Sequence, residues 1–63
     1  QAREYDEWKL KELESYQHLK SLNALKNAYT AHIRKCQRVN DEQGVKQFTK
    51  AKDARKVELE SND

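Results

Sequence analysis

His32 and Cys36 stand four residues apart, the interval that brings two side chains onto one face of a helix. A histidine and a cysteine so spaced can begin a zinc site, where thiolate sulfur and imidazole nitrogen share a tetrahedral ion. A structural site needs four ligands, however. His18 is the only other histidine, Cys36 is the only cysteine, and no paired-cysteine motif accompanies them. The same pair could serve as nucleophile and base, but that chemistry needs a third group to orient the base and a pocket for the substrate. Packing is the simpler use: Cys36 as a small core residue and His32 at the edge of an interface. Glu12 and Glu14, two residues apart, point to different sides of a helix and cannot share acid–base work. A glycine-rich phosphate loop and an H-E-x-x-H motif are both missing. These residues lead us to expect no enzymatic activity, no metal and no cofactor.

Binding chemistry is better represented. At about 100° per residue, Tyr5, Trp8, Leu13, Tyr16 and Leu19 fall on one helical face. Tryptophan and tyrosine join apolar area to a polar tip, which suits interfaces. Tyr5, Trp8, Tyr16 and Leu19 are therefore the expected protein interface, where a partner or a second copy would meet the chain. The other use of this face is internal, against Phe48 and Leu59.

A second candidate is electrostatic. Residues 1–16 carry a net charge of −2, residues 17–56 of +7, and residues 57–63 of −3, which leaves +2 overall. Arg34, Lys35 and Arg38 lie opposite the apolar stripe of their helix, and Lys46 and Lys50 are one turn apart. With Lys52 they make up the expected phosphate-contacting set of a nucleic-acid-binding domain, largely indifferent to base sequence. No aromatic residue sits clearly among them on an exposed face, which argues against base stacking on single strands. A lysine-rich face can equally be a solvated one, with the acidic ends folded back through pairs such as Lys56 with Glu60.

The elements that must position these groups are helices. The 63 residues include no proline and one glycine, Gly44, and strong helix formers dominate. Sustained alternation of β-branched and polar residues is lacking. A second stripe joins Leu22, Leu25, Tyr29, Ile33, Cys36 and Val39. Its direction differs from that of the first by roughly 130°, more than a straight helix drifts along a heptad seam. Either the chain turns near Ser21–Asn23, with Ser21 capping the helix that follows, or one long helix meets two different neighbours. Asn40 and Gln43 have capping-box spacing, and Asp41 and Glu42 suit a first helical turn. Gly44 fits poorly inside that first turn and is better placed in the connection. The last helix would bury Val45, Phe48 and Leu59, with the stems of Lys52 and Arg55 extending the stripe, and the tail Ser61–Asp63 should fray. The expected fold is all-α: a single domain over 1–63 of three helices near 3–20, 22–39 and 42–60, or else a two-helix hairpin.

Size limits what such a domain can do alone. Only eleven residues are Leu, Ile, Val or Phe, and a chain this short buries only about 60% of its unfolded surface. An internal disulfide is ruled out by the single cysteine. Self-association, most simply as a two-fold homodimer, is the expected remedy. Gln1 in place of Met suggests a piece of a longer protein. The single cysteine suits an intracellular setting, cytoplasmic or nuclear, and no apolar run is long enough to span a bilayer. The leading expectation is a helical oligomerisation or protein-interaction module with Leu22, Leu25, Tyr29, Ile33 and Cys36 as its buried seam. A nucleic-acid-binding domain is the alternative, and a peripheral membrane helix fits less well, since the basic residues do not flank one strongly apolar face.

Overall fold

The computed structural model describes residues 2–61, and among them it holds three α-helices, one short 3-10 turn and no strand. Helix α1 runs Ala2–Ser15 and continues as a 3-10 turn at Tyr16–His18; α2 is Leu22–Arg38 and α3 is Glu42–Ser61. The all-α, three-helix expectation holds. Asn62 and Asp63, the end of the tail expected to fray, lie outside the described residues.

The first break falls where the two stripes part. Tyr16–His18 tighten into a 3-10 turn, Leu19 becomes extended, and Ser21 takes a β conformation. The Ser21 hydroxyl accepts from the Ala24 N–H at 3.0 Å, the expected N-cap. α1 is thus shorter than the span near 3–20, because its stripe and that of α2 cannot face one core from one straight rod.

The second break corrects two expectations. Asn40 is not the N-cap of α3. It sits beyond the end of α2 with φ 59°, the left-handed conformation that asparagine tolerates better than most residues. Its N–H donates to Gln37 O, and the next N–H, of Asp41, reaches back to Cys36 O at 2.9 Å. That pair of bonds is the Schellman closure of a helix C-terminus. Asp41 then caps α3, its Oδ1 accepting from Gly44 N–H at 3.0 Å. Gly44 therefore lies inside the first turn of α3 rather than in the connection. It is buried there because α2 and α3 approach closely: a Cβ at Gly44 would stand 2.9 Å from both Cys36 Sγ and Asp41 Cγ. Gly44→Ala would push the thiol and the capping carboxylate out of place. We expect it to destabilise the fold by about 1–3 kcal/mol, the usual range for overpacking, despite alanine's better helix propensity. Chemical denaturation of the two proteins checks this.

α2 and α3 form an antiparallel hairpin, and α1 lies across one side of it. Tyr16, Leu25, Cys36 and Phe48 form the buried centre, and Phe48 and Cys36 are completely enclosed. Tyr5, Trp8, Leu13, Leu19, Tyr29, Ile33, Val45, Ala51 and Leu59 pack around them. Leu22, expected in the seam, is 45% exposed, and Val39, at the end of the same stripe, is 52% exposed. Val39 is the C-cap of α2, where the backbone leaves the helix and turns its side chain off the stripe. The stem of Arg55 helps close the open end, with Nε donating to Leu19 O at 2.9 Å.

Candidate binding surface

The residues first considered for chemistry are used in packing. His32 is 8% exposed and stands among aromatic rings. Its ring centroid is 4.7 Å from Phe48, 5.3 Å from Tyr16 and 5.6 Å from Trp8. Tyr16 Oη and His32 Nδ1 are 2.7 Å apart, and Nε2 lies 3.7 Å from a Glu12 carboxylate oxygen. Burial holds the Tyr16 hydroxyl protonated, well above its ordinary value. We therefore assign the hydrogen between the rings to Tyr16 and the imidazole hydrogen to Nε2, facing Glu12. Glu14 is exposed on the far side, so the two carboxylates do part, as their spacing implies. His18 is exposed, and among the described residues no three His, Cys, Asp or Glu side chains converge as a metal set would.

Burial pushes the His32 pKa below its ordinary 6.5, with Glu12 partly opposing. The sign follows from linkage. Above 6.5 the imidazole is neutral in both states and costs nothing. Below it the unfolded chain binds a proton that the folded chain resists, so stability falls with pH until the folded imidazole also titrates. Stability should therefore slope downward as pH falls below about 6.5. In His32→Gln that slope should vanish, even if the variant is less stable at every pH; urea melts across this range would show it.

A second, half-buried network fastens α1 to the turn between α2 and α3. Asp41 Oδ2 accepts from Tyr5 Oη at 2.8 Å and from Lys9 Nζ at 2.9 Å, while the Tyr5 hydroxyl also lies 3.3 Å from Cys36 Sγ. Lys9, then the Gly44 N–H and the Tyr5 hydroxyl, hold the Asp41 carboxyl down at about 2. Burial, with its bonds to Cys36 and Asp41, holds the Tyr5 hydroxyl protonated.

The expected interface residues are thus largely engaged within one chain. Tyr16 is 2% exposed, Leu19 packs on the core, and Tyr5 stacks on Trp8 at 5.6 Å. Trp8 meets Phe48 at 5.7 Å, the internal alternative for this face, and is covered from outside by Lys35 Nζ at 4.1 Å from the ring centroid.

The six basic residues do not share one surface. Arg34 lies about 180° around α2 from Leu25, and Lys46 and Lys50 lie about 160° to either side of Phe48 on α3. Since Leu25 and Phe48 both point into the core, these outer faces diverge. Arg38 follows Arg34, and Lys35 is laid on Trp8. Lys52 turns inward over the Tyr29 ring and pairs with Asp53 at 2.7 Å. The expected Lys56–Glu60 pair does not form, and Arg55 pairs with Glu58 instead.

What the sequence reading missed is a groove. It runs between α2 and α3, with no α1 residue in its lining, and has a volume of about 420 Å³. Leu22, Leu25 and Tyr29 form its floor, and Lys26, Thr30, Lys52 and Lys56 its rim. Tyr29 is pinned by donating to Thr49 Oγ1 at 2.8 Å, since the Thr49 hydrogen is already committed to Val45 O. Leu22, expected in the buried seam, is exposed here, while Tyr29 is half-buried against the core. Nothing in a helical stripe reveals that one end of it lacks a covering helix. Comparison with family models, with characterised proteins and with solved structures finds no match for this chain, so the reading of the surface rests on its own geometry.

Proposed function

We propose that the chain is a non-enzymatic helical interaction module that docks a partner helix in the α2–α3 groove. The observation that carries this reading is a groove between two helices, floored by exposed Leu22 and half-buried Tyr29 over buried Leu25 and rimmed by lysines. A groove of this form receives the apolar face of an amphipathic helix, through side chains at i, i+3 or i+4, and i+7. Catalysis has little to draw on: His32, Cys36, Tyr5 and Asp41 all serve packing or tie helices together. The nucleic-acid reading draws on charge alone, and its six basic side chains point in several directions.

The reading is tested by titrating the labelled chain with three short amphipathic helical peptides, alike in apolar face but with acidic, neutral or basic polar faces. Backbone and side-chain NMR shifts centred on Leu22, Leu25, Lys26, Tyr29 and Lys56 are expected with at least one peptide. A groove unmoved by all three overturns the reading.

A further inference from the structure

Two of the four large apolar side chains that stay exposed lie at one end of the molecule: Leu22, 45% exposed, and Val57, 61% exposed. Leu22 precedes Asn40 by about as many residues as Val57 follows it. At about 1.5 Å per residue both stand roughly 26 Å from the turn, at the open end of the hairpin. The Arg55 bond to Leu19 O fastens the two chains of the hairpin at this level.

Charge divides the same surface into complementary halves. Lys26 and Lys56 stand on the groove rim, and among the described residues neither has a carboxylate within ion-pair distance. Beside the groove, Asp53 and Glu60 flank Val57 at i−4 and i+3, on one face of α3. Glu60 is exposed, and Asp53 is also exposed, reached only by its neighbour Lys52. An apolar knob between two carboxylates thus adjoins an apolar groove between lysines. The chain also exposes 4985 Å², where a compact monomer of its mass would expose roughly 4200 Å².

We propose that a second copy of this chain occupies the groove, in a two-fold dimer that seats Val57 of each protomer over Leu22, Leu25 and Tyr29 of the other. This rests on the interaction-module reading and names the partner. A groove-to-groove dimer would bring six lysines together. A two-fold axis running along the hairpin avoids that. It keeps equal heights together, so the Val57 strip of one copy meets the groove of the other, and Asp53 and Glu60 face Lys26 and Lys56. Such a contact is reciprocal, as a closed two-fold interface requires.

Sedimentation equilibrium of the full chain tests it, with circular dichroism confirming that each variant keeps its helices. The wild-type chain should show a monomer–dimer equilibrium that weakens with salt. Val57→Asp, at a position exposed in the monomer, should weaken dimerisation at least about tenfold in Kd. The double variants Lys26→Glu/Lys56→Glu and Asp53→Lys/Glu60→Lys should each be monomeric, since each sets like charges across both contacts. Mixed in equal amounts they should form a heterodimer, because opposite charges then meet at both contacts. A wild-type chain monomeric to about 1 mM at low salt overturns the proposal, and so does a dimer indifferent to these substitutions. If the chain is monomeric while a peptide still shifts the groove resonances, the second copy is the wrong occupant and the interaction module stands.

Discussion

Phe48→Ala should leave this chain largely unfolded at room temperature. Phe48 is completely enclosed, with Trp8, Tyr16 and His32 around it at ring-centroid distances of 5.7, 5.9 and 4.7 Å. From α3 it joins Trp8 of α1 to His32 of α2. Deleting a buried phenylalanine costs about 3–5 kcal/mol, through lost burial and the cavity left behind. A domain of this length has only about 3–9 kcal/mol in total. Far-ultraviolet circular dichroism should show the loss of helix, because isolated helices of this length are marginal in water. Trp8→Ala, on the rim of the same cluster, should cost less, about 2–3 kcal/mol, since Lys35 is its outer cover and water already reaches the ring edge. If Trp8→Ala unfolded the chain and Phe48→Ala did not, the aromatic cluster would not be centred where the structure places it.

Asp41→Ala should be the most damaging change at a polar position. One carboxylate caps α3, accepts the Tyr5 hydroxyl, and pairs with Lys9, whose side chain is only 15% exposed. Loss of the cap alone costs about 1 kcal/mol. Leaving the Tyr5 hydroxyl and the Lys9 ammonium without their partner adds to it, for an expected total of about 2–4 kcal/mol. The same carboxylate sets a distinct acid limb. Its folded value, about 2, lies below the ordinary 3.8. Its stabilising effect is therefore complete above pH 3.8 and disappears as pH falls toward 2. With screening of the partly exposed ion pair allowed for, this limb is on the order of 1–2 kcal/mol. It is separate from the His32 slope, which begins near 6.5. Asp41→Asn should keep part of the cap and lose the acid limb, so thermal melts of wild type, Asp41→Asn and Asp41→Ala across pH 2–7 would separate the two contributions.

The two limbs also bear on motion. α1 is held to the hairpin by the Asp41 latch at one end and by the His32–Tyr16–Glu12 contacts at the other. α2 and α3, by contrast, are joined by a closed turn and a continuous seam. Acid weakens both attachments of α1. Hydrogen-exchange protection, taken relative to the intrinsic rate at each pH, should therefore fall first in α1 as pH drops, with the hairpin amides following later.

The helices themselves were legible because local chemistry decides them. Good helix formers without proline, the Ser21 cap and the change of stripe direction near residue 20 are all short-range signals, and each is met in the fold. Local chemistry also held the second turn, although Asn40 and Asp41 exchange the expected roles: asparagine's tolerance of φ 59° lets it end α2, so the cap moves on one residue. Gly44 could not be placed from sequence, because its reason is a neighbour, Cys36, eight positions away on another helix. The faces were legible only as faces. Periodicity shows that Tyr5, Trp8 and Tyr16 point together, and that Leu22, Leu25 and Tyr29 do. It carries no information on which face another helix covers. That was decided by tertiary packing: α1 lies on the Trp8–His32–Phe48 side and leaves the Leu22–Tyr29 side open, because only on the first side can Asp41 meet Lys9 and Tyr5 while His32 meets Tyr16.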